Sequence, residues 1–171
     1  MTKTCVVVAE GARARFFTLE HAEVPELDGG PDLVERNTLI NPRHRAHDEH
    51  VYSDGRSGRN RGPSGQAVTY DEHRDGFDAE LEGRFAREIV TELRTLLENT
   101  GAERVILCAE KRMLGFVRQA LNGSTPEGAR IVEVPKDLTR LSARQLHARL
   151  TEDGLLPARR SGGNGARPGA G

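Results

Sequence analysis

The sequence predicts an α/β fold built on one mixed sheet. Its first forty residues hold three short runs rich in β-branched and apolar residues. A long helical stripe of apolar residues follows, and two more short apolar runs then alternate with helical patterns. Strands that come first as a group and then alternate with helices indicate an antiparallel meander followed by right-handed crossovers into parallel strands.

Three strands are expected before residue 41. They are Thr4–Ala9, Arg13–Leu19 and Asp32–Ile40. The first is a run of β-branched residues, and the second follows it after a turn at Gly11. A turn rich in Gly and Pro at residues 28–31 precedes the third strand, and Asn41-Pro42 ends it. The short connections make these strands sequential neighbours.

One long helix is expected after residue 74. Its apolar residues recur at helical spacing, at Phe77, Leu81, Phe85, Ile89, Leu93, Leu96 and Leu97. Acidic residues between Asp71 and Glu80 gather where this helix is expected to begin, and the helix dipole favours negative charge there. Asn99-Thr100-Gly101 supplies the stop.

The remaining part of the chain alternates strands with helices. The expected elements are a strand Arg104–Ala109, a helix Lys111–Leu121, a strand Arg130–Val134 and a last helix to about Leu150. Ser142 and Gln145 have the spacing of a capping box, which marks the start of the last helix. The complete order is β-β-β-α-β-α-β-α, as in a ribonuclease-H-like mixed sheet. That topology carries unrelated activities, so the order alone does not choose a function.

A single domain is expected over residues 1–156, followed by a disordered tail over residues 157–171. The tail consists almost entirely of Gly, Ala, Arg and Pro, which offer no apolar surface to offset the entropy of ordering. Inside the domain, residues 43 to about 74 show no apolar period. A loop of that length in a compact domain is usually functional or disordered.

Charge and composition restrict the classes of function. The 25 Lys and Arg residues nearly balance the 26 Asp and Glu residues, so no overall field draws the protein towards nucleic acid. The apolar run at the start is too short for a signal peptide, and no run reaches membrane-spanning length. We therefore expect a cytoplasmic protein with no membrane partner. Cys5 and Cys108 lie in apolar runs and are expected to be buried and reduced.

Patterns for catalysis and metal binding are weak. A ribonuclease-H-type nuclease needs a carboxylate in the middle of its first strand, and Cys5–Ala9 contains none. His44, His47 and His50 stand three apart in the polar loop, but this spacing is not specific and a solvated loop explains it better. No metal and no cofactor are expected. Neither a nucleophile elbow nor a phosphate-binding P-loop occurs.

The long polar loop is locally cationic. Between residues 43 and 61 it holds five arginines against Asp48, Glu49 and Asp54. Guanidinium groups suit phosphate oxygens, because each can bond two of them. The alternative is a disordered insertion that its charge keeps soluble, and composition leaves both interpretations open.

The sequence resembles the bacterial host-attachment protein family over about residues 3–150. The segments that carry the resemblance are Thr4–Phe17, the loop ending in Ser64-Gly65-Gln66, the helix from Phe77, and Val134–Thr139. This family is regarded as related to the middle domain of archaeo-eukaryotic class-1 peptide-chain release factors. In those factors a loop bearing Gly-Gly-Gln enters the peptidyl-transferase centre, and Ser64 here replaces the first glycine.

The resemblance implies a release-factor-like protein associated with the ribosome, in rescue, hibernation or stress response. Its partner would be ribosomal RNA or tRNA, contacted by Arg56, Arg59 and Arg61. Gly65 and Gln66 would be the catalytic residues if the protein hydrolyses peptidyl-tRNA. Two alternatives remain open. One is a role in adhesion to host cells, as the family's name suggests, and the other is a small-ligand-binding domain without catalysis.

Overall fold

The computed structural model describes residues 2–42, 67–123 and 125–163, with side chains in the first long helix described from Gly76 onward. The strands in these ranges are β1 (Thr4–Ala9), β2 (Arg13–Glu20), β3 (Asp32–Ile40), β4 (Arg104–Ala109) and β5 (Arg130–Val134). All five predicted strands are confirmed, and β2 is one residue longer than predicted.

The five strands form one mixed sheet in the order β3-β2-β1-β4-β5. Strand β1 pairs antiparallel with β2, and β2 pairs antiparallel with β3. On the other side β1 pairs parallel with β4, and β4 pairs parallel with β5. The predicted mixed α/β fold is confirmed. The more specific assignment to the ribonuclease-H-like folds stays a prediction.

Four α-helices lie in the described ranges. They are α1 (Pro25–Asp28), α2 (Ala67–Thr100), α3 (Lys111–Leu121) and α4 (Ala143–Glu152), and a 3-10 turn covers Pro126–Gly128. Helices α3 and α4 confirm the sequence predictions. The capping box also forms, because Ser142 Oγ accepts from the Gln145 N–H at 3.2 Å and Gln145 Oε1 accepts from the Ser142 N–H at 3.0 Å. Helix α1 and the 3-10 turn were not predicted.

Helix α2 begins earlier than the sequence pattern predicts. It starts at Ala67 and its first turn holds no acidic residue, so the acidic residues do not cap it as expected. Phe77 is 50 % exposed, and Leu81 is the first buried side chain among those described, which begin at Gly76. From Ala67 to Leu81 the helix runs about 21 Å at 1.5 Å per residue. The apolar period begins only at Phe77, so it did not predict the turns from Ala67 to Gly76.

The sheet is covered on both faces. One face packs against α2 and α3, through residues such as Phe16, Phe85 and Leu114, and the other packs against α4, through residues such as Phe17 and Leu146. Every residue of β1 is buried. Cys5 and Cys108 are buried and unpaired as predicted, and burial raises the pKa of the Cys108 thiol to about 12. Both thiols are therefore structural parts of the core.

The segment after α4 is ordered as far as residue 163, where the sequence predicts a disordered tail. We call residues 157–163 the C-terminal strap. Gly30 and Arg160 exchange backbone hydrogen bonds of 2.9 Å in both directions, and the Gly163 N–H donates to the Glu26 carbonyl at 2.9 Å. Arg159 Nε also contacts Asp32 Oδ1 at 2.5 Å. Residues 164–171 lie outside the described residues, and disorder there stays a prediction.

Glycine is what allows the strap to lie against the turn before β3. A Cβ placed on Gly29, whose φ is +72°, would lie 2.5 Å from the Gly162 nitrogen, and a Cβ on Gly162 would collide with the Leu27 carbonyl oxygen. Two backbones therefore meet here at a distance that only glycine permits. The glycine content that led to the prediction of disorder is therefore needed for this contact.

Truncation should distinguish the ordered strap from the residues beyond it. A chain ending at Gly163 should melt at the wild-type temperature. A chain ending at Leu156 loses the Gly30–Arg160 bridge and the Arg159–Asp32 contact, and should be less stable by about 2 kcal/mol, or about 4–8 °C in melting temperature.

Gly162→Ala in the full chain is the matched point variant, and its melting temperature should fall as well. Thermal unfolding followed by circular dichroism measures all three. Equal melting temperatures for the two truncations would show that the strap does not contribute to stability.

Candidate functional site

The carboxyl edge of the sheet, where β1, β4 and β5 end, is the first place to look for a site. In open α/β sheets ligands bind outside the carboxyl ends of the strands, at the point where chain connections leave in opposite directions. Here β1 has an antiparallel neighbour on one side and a parallel one on the other. Glu10 and Glu110 directly follow β1 and β4. Strand β3 also ends at this edge, since Ile40 pairs with Arg13.

Asn41 fixes the point where the chain leaves β3. Its backbone N–H donates to the Ala12 carbonyl at 2.8 Å and its side-chain amide donates to the Gly11 carbonyl at 3.1 Å. The residue is only 6 % exposed. The Glu10 N–H closes the same turn by donating to the Arg13 carbonyl at 2.8 Å. The end of β3 is thus tied to the β1–β2 turn, immediately before the polar segment begins.

The predicted site residues lie outside the described residues. These are Gly65 and Gln66, Arg56, Arg59 and Arg61, and the histidines His44, His47 and His50. Their mutual geometry, and their roles in catalysis, RNA contact or metal binding, stay predictions. The segment that carries them starts at the carboxyl edge, next to the fixed Asn41, and returns to the chain at Ala67, where α2 begins.

Two arginines of β2 hold a loop that is 124 to 126 residues away in sequence. Arg13 donates to the Thr139 carbonyl at 2.6 Å, and Arg15 donates to the same carbonyl at 3.1 Å and to the Leu141 carbonyl at 2.6 Å. The loop has its own internal lock, since Asp137 Oδ1 accepts from the Thr139 N–H at 3.0 Å and from its hydroxyl at 2.6 Å. We call this arrangement the arginine clamp.

Arg15 makes several contacts besides those of the clamp. Its guanidinium forms a two-bond ion pair with Glu35, both bonds measuring 2.9 Å, and it lies 5.0 Å from the centre of the Phe17 ring. The side chain is 14 % exposed. The hydrogen bond from Arg15 is the main reason why the pKa of Glu35 is lowered, and it also raises the pKa of Arg15. The pair is therefore charged at neutral pH.

Other ion pairs at the surface hold helices rather than form a reactive centre. Arg112 of α3 bonds Glu82 of α2 at 3.0 Å and lies 5.8 Å from the Phe116 ring. Arg118 bonds Glu133 of β5 through two contacts of 2.7 and 2.5 Å, and this hydrogen bonding lowers the pKa of Glu133. These pairs tie α3 to its neighbours on both sides.

Among the side chains that the structure describes, no three His, Cys, Asp or Glu residues are grouped so that they could hold a metal ion. In the same ranges no helix combines the length and the apolar character needed to cross a membrane.

The sequence matches the family model described as "Protein required for attachment to host cells" over residues 5–150. The chain belongs to this host-attachment family. The predicted resemblance to the family is thereby confirmed, whereas the link to release factors stays a proposal. Comparison with curated proteins finds no matching relative.

The host-attachment region contains the whole arginine clamp. It runs from Cys5 in β1 to Leu150 in α4, so it includes all five strands and the loop around Thr139, and it ends before the strap. The two segments that resemble the family most specifically, the opening and residues 136–139, touch each other through Arg13 and Arg15. The contact between these two segments is therefore the first explanation of why both resemble the family.

The clamp was not predicted from the sequence. One signal was present, because Arg13 and Arg15 are two apart in an otherwise apolar strand and so must lie on the same face. The partner could not be predicted, because every residue has a backbone carbonyl and the sequence does not indicate which carbonyl accepts the hydrogen bond.

Replacing Arg15 should test the clamp. Arg15→Met removes two charge-assisted bonds to carbonyls and leaves Glu35 without its cation, so we expect a loss of about 3 kcal/mol in the free energy of unfolding. Arg84→Met is the control, because Arg84 belongs to an exposed pair with Glu80 at 2.6 Å and exposed pairs contribute little. Urea unfolding at neutral pH measures both. Equal effects of the two substitutions would contradict the clamp's contribution.

The pH profile should identify Glu35 as the titrating partner. Its pKa is lower in the folded than in the unfolded chain, so its contribution to stability is complete above the unfolded value, about 4.3, and is lost as the pH falls through the folded value. Glu35→Gln should consequently be destabilising at pH 7, and its difference from wild type should shrink below about pH 4. A difference that stays constant with pH would contradict this assignment.

Proposed function

We propose that the protein is a binding protein that acts in the attachment of the cell that makes it to host cells. The observation that carries this proposal is the family match over residues 5–150. The match includes the complete sheet and the clamp that holds its carboxyl edge together, so it concerns the folded unit as a whole rather than one short motif.

The described side chains favour binding over catalysis. Most of the resolved pKa shifts belong to surface ion pairs and to buried thiols, such as Arg15 with Glu35, Arg118 with Glu133, and Cys108. Perturbed pKa values mark catalytic sites only when the groups converge in a cleft, and ion pairs that hold structure shift them as well. In the described ranges, Arg13, Arg15 and Arg112 each donate hydrogen bonds to other residues of this same chain. The partner would accordingly be recognised through surface contacts.

The direct test is an adherence assay. A strain that lacks the gene should show reduced attachment to cultured host cells, and the wild-type gene supplied in trans should restore it. Growth in medium without host cells is the control for general fitness. Attachment at the wild-type level in the deletion strain, with normal growth, would contradict the proposal.

A second candidate is a release-factor-like protein that works on the ribosome in the cytoplasm. The observation that favours it is the motif Ser64-Gly65-Gln66, in a segment that leaves from the carboxyl edge beside Asn41 and rejoins the chain at the start of α2. In the release factors the corresponding loop reaches into another molecule. On this candidate Arg56, Arg59 and Arg61 contact RNA phosphates, and Gln66 positions the water that attacks peptidyl-tRNA.

The ribosome candidate makes separate predictions for binding and for chemistry. Replacing Arg56, Arg59 and Arg61 with Ala should weaken cosedimentation with ribosomes and reduce the slope of log affinity against log salt by about one per lost phosphate contact. The matched control replaces Arg87, Arg94 and Arg144, three exposed arginines on described helices, so the change in net charge is the same. Equal effects of the two triple variants would show that net charge alone governs binding.

Gln66→Ala should spare ribosome binding and abolish peptide release from stalled ribosome complexes. Absence of release by the wild-type protein would remove the hydrolase role and leave only binding.

The adherence assay, carried out on the same variants, distinguishes the two candidate functions. Full attachment by a variant that no longer binds ribosomes would show that attachment does not depend on ribosome binding. Loss of both attachment and ribosome binding in the same variant would show that attachment depends on the activity at the ribosome.

A further inference from the structure

A polar pocket lies at the opposite end of the sheet from the carboxyl edge. It has a volume of about 470 Å³ and is formed where β1 begins, β2 ends and α2 ends. Its walls include Lys3, Thr4, Thr18, Glu20, Asn99 and Thr100. This volume is within the range of small-molecule sites. We call it the amino-edge pocket. No residue of the arginine clamp lines it.

The carbonyl end of α2 forms one wall of this pocket. A helix accumulates partial negative charge at its last carbonyls, and the last turn of α2 contains no basic residue to offset it. The cation that reaches this end comes from another element, because Lys3 Nζ donates to the Thr100 carbonyl at 3.2 Å. The protein thus already places one ammonium group at this helix end, which shows what kind of group the position accepts.

Glu20 also lines the pocket and supplies a carboxylate, which two neighbours hold in place. The Thr18 hydroxyl donates to Glu20 Oε1 at 2.8 Å, and Arg36 donates to the same oxygen at 2.7 Å. Arg36 Nε also donates to the Thr18 hydroxyl at 2.9 Å, and this bond fixes the orientation of that hydroxyl. Thr18 is 4 % exposed, whereas the Glu20 side chain is 49 % exposed. All these contacts fall on Oε1 or on the hydroxyl, and Oε2 takes part in none of them.

We propose that the amino-edge pocket binds a small organic ammonium compound. The ammonium group would bond Glu20 Oε2 and lie near the carbonyl end of α2, where the carboxylate and the partial negative charge of the carbonyls both attract a cation. It would compete with Lys3 for those carbonyls. Hydroxyl groups of the ligand would find partners in the Asn99 amide and in the threonine hydroxyls of the pocket. An anion placed against Glu20 Oε2 would meet a carboxylate, so this position selects against it.

Three probes of similar size and different charge test this proposal. They are ethanolamine, ethylene glycol and glycolate, each titrated at constant ionic strength into the full-length protein and followed by amide chemical shifts. Ethanolamine should shift the signals of Thr18, Glu20 and Asn99 in a saturable way. The other two probes should not. Preferential binding of glycolate, or no saturable shift with ethanolamine, would overturn the proposal.

Two substitutions at the walls should move affinity in opposite directions. Glu20→Gln should weaken ethanolamine binding about tenfold, the loss expected for a charge-assisted bond. Lys3→Met should strengthen it, because it removes the native ammonium group from the helix end. Glu23→Gln is the control, since Glu23 is exposed and does not line the pocket.

Lys3→Met also keeps the test decisive if Glu20→Gln fails to fold, because Lys3 is exposed and its replacement leaves the Thr18–Glu20–Arg36 contacts in place. Weaker ethanolamine binding by Lys3→Met, or unchanged binding by a folded Glu20→Gln protein, would refute the assignment of the ammonium position.

Discussion

The parallel pairing of β1 with β4 at the centre of the sheet is the constraint on which the rest of the structure depends. All six residues of β1 are buried, as are five of the six in β4. Strands without a solvent face need cover on both sides. Helices α2 and α3 supply it on one side and α4 on the other, so the helices have little freedom in where they pack. Both ends of the sheet are consequently fixed, and each presents polar residues at a defined place.

The sequence predicted those parts of the fold that a hydrophobic pattern records. The uninterrupted apolar runs of β1 and β4 and the capping box at Ser142 gave elements whose limits agree closely with the structure. Helix α1 was missed because it has four residues and buries none of them, and the start of α2 because the apolar period of the sequence begins only at Phe77. The arginine clamp and the Gly29–Gly162 approach were beyond prediction, because both involve backbone groups far apart in sequence.

The candidate site was predictable only as a location. The lack of an apolar period marks the segment after Pro42 as unlike the rest of the chain, and the structure places its beginning at the carboxyl edge. The family match has a different basis, since it covers the folded unit and not that segment alone. The amino-edge pocket had no sequence signal at all. Its walls include Lys3, which precedes β1, Glu20, which ends β2, and Thr100, which ends α2, and these residues become neighbours only in the folded chain.

The C-terminal strap also determines when the fold can be completed. Its hydrogen bonds join Gly30 to Arg160 and Glu26 to Gly163, so the turn before β3 can close only after residues up to 163 have been synthesised. Chains begin to fold from the amino terminus while they are still being made. On a translating ribosome β1, β2 and β3 can pair with one another long before the turn that precedes β3 receives its final partner. Closure of that turn is therefore separated in time from formation of the meander.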